Sequence, residues 1–253
     1  IVNMDTRSVI SCIPFSSYSF NKETMDIIKD KSQNIDLIDS IFKTKTSFNF
    51  NKVFNYINDY KMFNNSNYSF KDLYSLNNWS IKGDEFVCNS DWPFKLIFCE
   101  IEINNREVKK WDQPLFEANK IATFGLITFN DNGTKKFIVK AVPEIGCFDQ
   151  IELGPTVMTD AIKDSKDSDP MIDLFYNKLS KKNNIIFDGL LSEEGGRFYH
   201  EQNRNVIIEI DKSEIPNLGK EYFYFDFAEL NHLVQINNIL NIQLRNLISL
   251  LKV

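Results

Sequence analysis

The spacing of apolar residues changes along this chain, and the changes mark its elements. Near the end, Leu240, Leu244, Leu247, Ile248 and Leu251 recur every three or four residues. That spacing places them on one stripe of an amphipathic helix. A second helix is predicted over Met171–Lys181, after the punctuation of Pro170, and a short one over Asp72–Trp79. Runs rich in β-branched and aromatic residues predict strands at Glu85–Val87, Phe94–Ile103, Phe124–Phe129, Lys136–Val139, Ile185–Phe187, Val206–Ile210 and Tyr222–Phe227. Asn130-Asp131-Asn132-Gly133 sits between two of them. Asn-Gly supplies the positive φ angles of a tight hairpin turn. Strands with helices before, between and after them predict a mixed α/β (α+β) sheet domain.

The first quarter reads differently. Residues 15–68 are polar and rich in Asn, with two helix-like patches. One carries Ile35, Leu37, Ile38, Ile41 and Phe42, the other Phe48, Val53, Phe54, Ile57 and Phe63. This predicts a helical linker. Ahead of it, Val2–Ile13 aligns with Leu240–Leu251 in one register, with Asn3, Arg7, Ile10 and Ser11 matching Asn241, Arg245, Ile248 and Ser249. Residues 1–14 are therefore expected to be a helix that ends a preceding repeat, and 69–253 to be a second repeat. The period far exceeds that of solenoid arrays, so the pattern predicts a duplicated domain.

Composition narrows the classes of function. Hydrophobic residues make up 43% and charged residues 25%, with a net charge of −6 and no basic stripe of the kind that binds nucleic acid. No apolar run approaches the length of a membrane span, and Asp5 and Arg7 interrupt the first apolar stretch, so no signal peptide is read. Cys12, Cys88, Cys99 and Cys147 form no C-x-x-C pair, and the histidines are His200 and His232. No metal site is expected. Unpaired thiols point to a cytoplasmic protein. Lysine is the default cation, and arginine appears five times, at Arg7, Arg106, Arg197, Arg204 and Arg245. Its planar fork binds carboxylates and phosphates in a way Lys cannot copy.

Four polar clusters interrupt the regular spacing, each beside Gly, Pro or Arg. They are Trp111-Asp112-Gln113-Pro114, Lys140–Gly146 running into Ile151–Val157, Leu191–Tyr199, and Asn203-Arg204-Asn205. Fixed backbone paths of this kind often carry binding groups. Arg197 and Arg204 are suited to a diphosphate, Trp111 and Tyr199 to stacking on a ring, and Glu144, Glu152, Glu193 and Glu194 to binding hydroxyls or moving protons. The plainer reading is loops that cap a sheet and are held by Arg–Glu pairs.

The runs W-D-Q-P, P-E-I-G-C-F-D-Q-I-E-L-G-P-T-V, S-E-E-G-G-R-F-Y-H and N-R-N, in that order, resemble the NDP-hexose 2,3-dehydratase family. The opening N-M-D-T-R-S-V-I-S-C-I-P resembles the end of that family's first half, and residues 69–253 its second half. The resemblance implies a Nudix-like mixed sheet flanked by helices, preceded here by the helical linker. It implies a lyase of deoxysugar biosynthesis that eliminates the C2 hydroxyl of a dTDP-linked 4-keto-6-deoxyhexose after C3 proton abstraction, with no cofactor. On this reading Glu193, Glu194 and Glu144 are the catalytic candidates. Trp111, Gln113, Glu152, Thr156, Arg197, Tyr199 and Arg204 are the substrate-binding candidates. The expected partners are a nucleotide-sugar and either a second copy (a homodimer) or the other half of the same enzyme. Two rivals are weighed. One is a non-catalytic, binding or structural half of such an enzyme. The other is a Nudix pyrophosphohydrolase, for which Glu193-Glu194-Gly195-Gly196 is a partial match, with Gly189 and Leu190 where an Arg-Glu pair belongs.

Overall fold

A computed structural model of the chain describes residues 22–31, 48–64, 70–90, 92–105, 107–144, 149–159 and 169–251. The predicted helix at 1–14, the Ile35–Phe42 patch and Ile145 and Gly146 of the second cluster lie outside them.

The core is built on a mixed sheet with spatial order β11-β6-β5-β10-β9. Its central strands are β5 (Thr123–Asp131) and β6 (Thr134–Pro143). They form the predicted hairpin, with Asn132 and Gly133 at φ 52° and 79°, as the two-residue turn requires. Strand β10 (Gln202–Ile210) runs parallel to β5 and antiparallel to β9 (Ile185–Ser192). Strand β11 (Tyr222–Asp226) closes the other side along β6.

Strands β5 and β6 are paired from the turn back to Ile127 and Ile138, then part. The segment 151–159 enters the fork. Strand β7 (Ile151–Pro155) pairs with β6, and β8 (Val157–Thr159) pairs with β5. Thr156 stands at the apex, where its hydroxyl accepts from the Ile127 amide at 2.9 Å and donates to the Ile138 carbonyl. Beside it, Gly154 leaves room for three neighbours. A Cβ there would lie 2.9 Å from Asn241 Nδ2, Met158 Sδ and Val142 Cγ2.

One face of this sheet is covered by helices α2 (Asn51–Phe63), α4 (Phe227–Leu233) and α5 (Ile242–Ser249). Val53 and Ile57, Leu230 and Leu233, and Leu244, Leu247 and Ile248 meet Phe124, Leu126, Val139, Leu153 and Ile207 there. The stretch read as a linker thus supplies part of the core. Helix α3 (Pro170–Ser180) covers the other face with Met171, Phe175 and Leu179, against Ile127, Ile138, Val206 and Ile208. Helix α1 (Lys22–Lys31) lies within the Asn-rich region. Asp226 and Glu229 form a reciprocal capping box that starts α4, so the last predicted strand stops at Asp226 and Phe227 begins a helix.

A second sheet, β1-β2-β3-β4, precedes the first in sequence. It is an antiparallel meander of Trp79–Lys82, Glu85–Cys88, Phe94–Glu102 and Lys110–Ala118. The expected helix over Asp72–Trp79 is only a 3-10 turn at Leu73–Ser75, and Trp79 already belongs to a strand. The W-D-Q-P cluster is also strand, inside β4. Pro114 is tolerated because β4 is an edge strand, where a missing N–H costs no ladder bond.

Candidate functional site

The hairpin between β9 and β10 ends in the loop 193–201, and that loop is stitched to β4 of the smaller sheet. The Phe116 amide donates to the Arg197 carbonyl at 2.9 Å, and the Tyr199 amide to the Phe116 carbonyl at 2.7 Å. Gln113 Nε2 donates to the Gly196 carbonyl at 2.9 Å. Gln113 Oε1 accepts from Trp111 Nε1 at 2.7 Å, so both ends of this amide are used and its orientation is fixed. Phe94, Phe116 and Phe198 pack their rings around the same junction.

Five of the sequence candidates therefore gather at one seam: Trp111 and Gln113 on β4, and Glu194, Arg197 and Tyr199 on the loop. Glu194 accepts the Arg197 and Phe198 amides on its carbonyl at 3.1 and 2.9 Å, which bends the loop into a turn and leaves its carboxylate exposed. Arg197 is exposed, and Tyr199 stands half-exposed with its ring edge-on to His200 at 4.5 Å.

Glu193 stands at the neck of the hairpin, beside the seam. Its amide donates to the Glu201 carbonyl at 3.0 Å. Its Oε1 accepts from Asn203 Nδ2 at 2.8 Å. The same Nδ2 lies 3.3 Å from Glu201 Oε1. Asn205 Nδ2 donates to the Asn203 carbonyl at 3.1 Å. Alternation along the strands puts Glu193, Glu201, Asn203 and Asn205 on one face. Sequence reasoning named the Asn-Arg-Asn run but chose its arginine, and it passed over Glu201. The available signal was that a buried face of a core strand carried amides where apolar residues belong.

The remaining candidates sit elsewhere. Arg204 points to the opposite face from Asn203 and Asn205. Its Nε and Nη2 hold both oxygens of Asp188 at 2.8 and 2.7 Å. The guanidinium keeps the Asp188 carboxyl below its usual range. Thr156 spends its hydroxyl inside the sheet, as described above. Glu152 is buried on β7. Its neighbours Ile151 and Leu153 enter the core under α5, which turns Glu152 to the α3 side. Glu144 ends β6, where its amide donates to the Gln150 carbonyl at 3.0 Å. The ten candidate residues thus divide between the hairpin seam, the end of β6, the α3 face and the sheet interior.

The α3 face holds one further ionic group. Asp169 caps α3 through the Met171 amide at 3.0 Å, meets Lys140 Nζ at 2.6 Å and accepts from the Tyr222 hydroxyl. Burial pushes the Asp169 carboxyl up, and the bonds from Lys140, Tyr222 and Met171 outweigh it, leaving it below its usual range. Burial and the bonded carboxylate push Tyr222 upward. This arrangement pins α3 to β6 and β11.

The partial Nudix match is not supported by this geometry. Glu193 and Glu194 occupy a hairpin loop, whereas the metal-holding carboxylates of that reading require a helix.

The fold and seam define an α+β protein with a polar, arginine-bearing junction between two sheets. The sequence model of NDP-hexose 2,3-dehydratases matches residues 50–251, and the chain belongs to that family. It is 29% identical over 168 residues to a dTDP-4-dehydro-6-deoxy-alpha-D-glucopyranose 2,3-dehydratase of Streptomyces violaceoruber, covering 65% of this chain and 37% of that protein. It is 27% identical over 253 residues to the enzyme of that name from Saccharopolyspora spinosa, covering 98% and 51%. With the Amycolatopsis orientalis enzyme of that name it shares 22% identity over 252 residues, 98% and 48% of the two chains. The chain spans about half the length or less of these curated relatives.

Proposed function

We propose that this chain takes part in the 2,3-dehydration of a dTDP-linked 4-keto-6-deoxyhexose, with the sugar held at the seam between β4 and the 193–201 loop. The family match carries the reading, and the relatives' names supply the substrate class. The seam supports it chemically. A ketone at C4 acidifies the C3 proton, so a carboxylate base and a proton donor for the departing C2 hydroxyl are enough in kind. Glu193 and Glu194 belong to the loop whose Gly196 carbonyl Gln113 holds, and Arg197 and Tyr199 on the same loop are exposed. Arg197 is placed to meet the diphosphate. Trp111 and Tyr199 offer ring faces for the base or sugar. Arg204, already bidentate with Asp188, plays a structural part in this account.

Assembly belongs to the same proposal. The smaller sheet exposes Ile81, Phe98 and Phe116 at 57%, 55% and 41%. By strand register and alternation all three lie on one face. Exposed apolar patches of this kind mark interaction surfaces, and we assign this one to a second copy of the chain. No described helix is long and apolar enough to cross a membrane; a cytoplasmic location is part of the proposal.

The test is incubation of the chain with the dTDP-linked 4-keto-6-deoxyhexose, followed by mass spectrometry of the sugar. Loss of one water supports the reading. Binding without loss of water assigns the chain to a non-catalytic half.

A further inference from the structure

Strand β10 turns polar where its packing calls for core residues. Ile207, Asn205 and Asn203 follow one another on the sheet face that α2, α4 and α5 cover. Their cross-strand neighbours bring no polar side chain. Phe124 of β5 lies beside Asn205, and Phe187, Gly189 and Leu191 of β9 lie opposite Ile207, Asn205 and Asn203. Both asparagines are 2% exposed. A buried amide costs free energy unless its polar atoms are bonded, and aliphatic side chains would fill the same space without that cost.

The nitrogen ends of the two amides are used. Asn203 Nδ2 donates to Glu193 Oε1 at 2.8 Å, and Asn205 Nδ2 donates to the Asn203 carbonyl at 3.1 Å. A carboxylate and a carbonyl only accept, so neither amide can be turned over. The oxygen ends are not used. Neither Asn203 Oδ1 nor Asn205 Oδ1 has a hydrogen-bond partner among the described residues. Nearly all buried acceptors in folded proteins are bonded, and each exception calls for an account. Here two exceptions lie two residues apart on one face. Together they ask for a ligand that brings two donors, and they disfavour an anion.

We propose that Asn203 and Asn205 form a hydroxyl-binding subsite, each Oδ1 accepting from one hydroxyl of the sugar in the bound nucleotide-sugar. The subsite rests on the dehydratase reading for its ligand. A 4-keto-6-deoxyhexose linked through C1 has two free hydroxyls, on C2 and C3, one for each acceptor. Side chains two residues apart on a strand face project about 6.6 Å apart. Hydroxyls on adjacent ring carbons, each about 2.8 Å from its acceptor, fit between them. The Asn203 amide then links sugar and candidate base, its oxygen on a hydroxyl and its nitrogen on Glu193. The sugar enters from the loop end of this column, where Glu193 is half-buried and Glu194 exposed. Burial makes the subsite selective, because a ligand that lacks one hydroxyl leaves a desolvated acceptor unmade.

The test uses the unaltered chain with dTDP-6-deoxyglucose, which has no C4 ketone to acidify the C3 proton, and with its 2-deoxy and 3-deoxy counterparts. Titration calorimetry should find each deoxy ligand bound about tenfold or more weaker than the parent ligand. In NMR of the side-chain amides, the parent ligand should shift the Asn203 and Asn205 signals, and each deoxy ligand should leave one of the two nearly in place. In Asn203→Leu and Asn205→Leu the penalty for one missing hydroxyl, a different one in each variant, should disappear. A merely structural role does not produce that coupling. Should a leucine variant not fold, the amide signals of the unaltered chain decide. Equal affinity for parent and deoxy ligands, or amide signals that ignore the ligand, overturns the subsite and assigns the two oxygens to internal water, while nucleotide-sugar binding stands. Deoxy penalties undiminished in both variants overturn the subsite as well. A chain that binds none of these dTDP-sugars overturns the dehydratase reading and the subsite with it.

Discussion

Gln113 and Gly196 are 83 residues apart in the chain, and a bond of 2.9 Å from the Gln113 side-chain amide to the Gly196 carbonyl ties the two sheets together at the candidate site, beside the two backbone bonds of Phe116. The same side chain orients Trp111. Removing the amide should therefore loosen the loop without touching the core. Gln113→Leu is expected to speed hydrogen exchange of the 194–199 amides and to raise KM. The melting temperature should change little, since this bond is exposed and worth about 1 kcal/mol. Unaltered exchange in that loop would show that the backbone bonds from Phe116 hold it unaided.

Thr156 offers a sharp contrast between a ligand contact and a sheet contact. Thr156→Val keeps the shape and strips the Ile127 amide and the Ile138 carbonyl of their shared partner. Each buried group left unmade costs about 1–3 kcal/mol. Denaturant unfolding should show a loss in that range or somewhat above it, with substrate affinity of the folded variant unchanged. A variant of full stability with weakened substrate binding would return Thr156 to the binding candidates.

These two residues also show what the sequence discloses and what it hides. Periodicity and turn chemistry carry the hairpin at Asn132-Gly133, helix α3 and the strands of the main sheet, because each depends on neighbours in the chain. The motif clusters at 111–114 and 151–157 looked irregular because Pro114 sits on an edge strand and Gly154 meets three side chains from elsewhere. Both stretches are strands, and neither reason is local. The seam follows the same rule. Residue type marked Trp111, Gln113 and Arg197 as candidates, but only the pairing of Phe116 with Phe198 brings them together. The choice of Arg204 over Asn203 and Glu201 turned on which face of β10 each occupies. That choice needed the register with β9, which sequence pattern did not supply.

The Lys140–Asp169–Tyr222 group gives stability a pH window. The Asp169 pKa lies below its ordinary 3.8, so its contribution is present above that value and fades as pH falls through the depressed one. The Tyr222 pKa lies above its ordinary 10.0, so its contribution is present below 10 and fades as pH rises towards the raised value. Asp169→Asn should cost about 1.5–3 kcal/mol at neutral pH, the scale of a charged hydrogen bond, and flatten the acid limb of the melting curve. Tyr222→Phe should flatten the alkaline limb. Melting temperatures that fall on both limbs as steeply in the variants as in the parent would contradict this assignment.

The exposed row of Ile81, Phe98 and Phe116 predicts association. Light scattering should find a dimer at micromolar concentration, and Ile81→Asp with Phe98→Asp should return it to a monomer with an unchanged circular dichroism spectrum. A parent chain that stays monomeric at high concentration would remove the assigned partner.

The central claim is that a nucleotide-sugar sits at the seam with its diphosphate on Arg197, and calorimetric titration of the chain with a dTDP-sugar tests it most directly. The account predicts saturable binding that Arg197→Ala weakens by roughly 1.5–3 kcal/mol, the range for hydrogen bonds to a charged group. No detectable heat from the parent chain, or equal affinity in the Arg197→Ala variant, would contradict it.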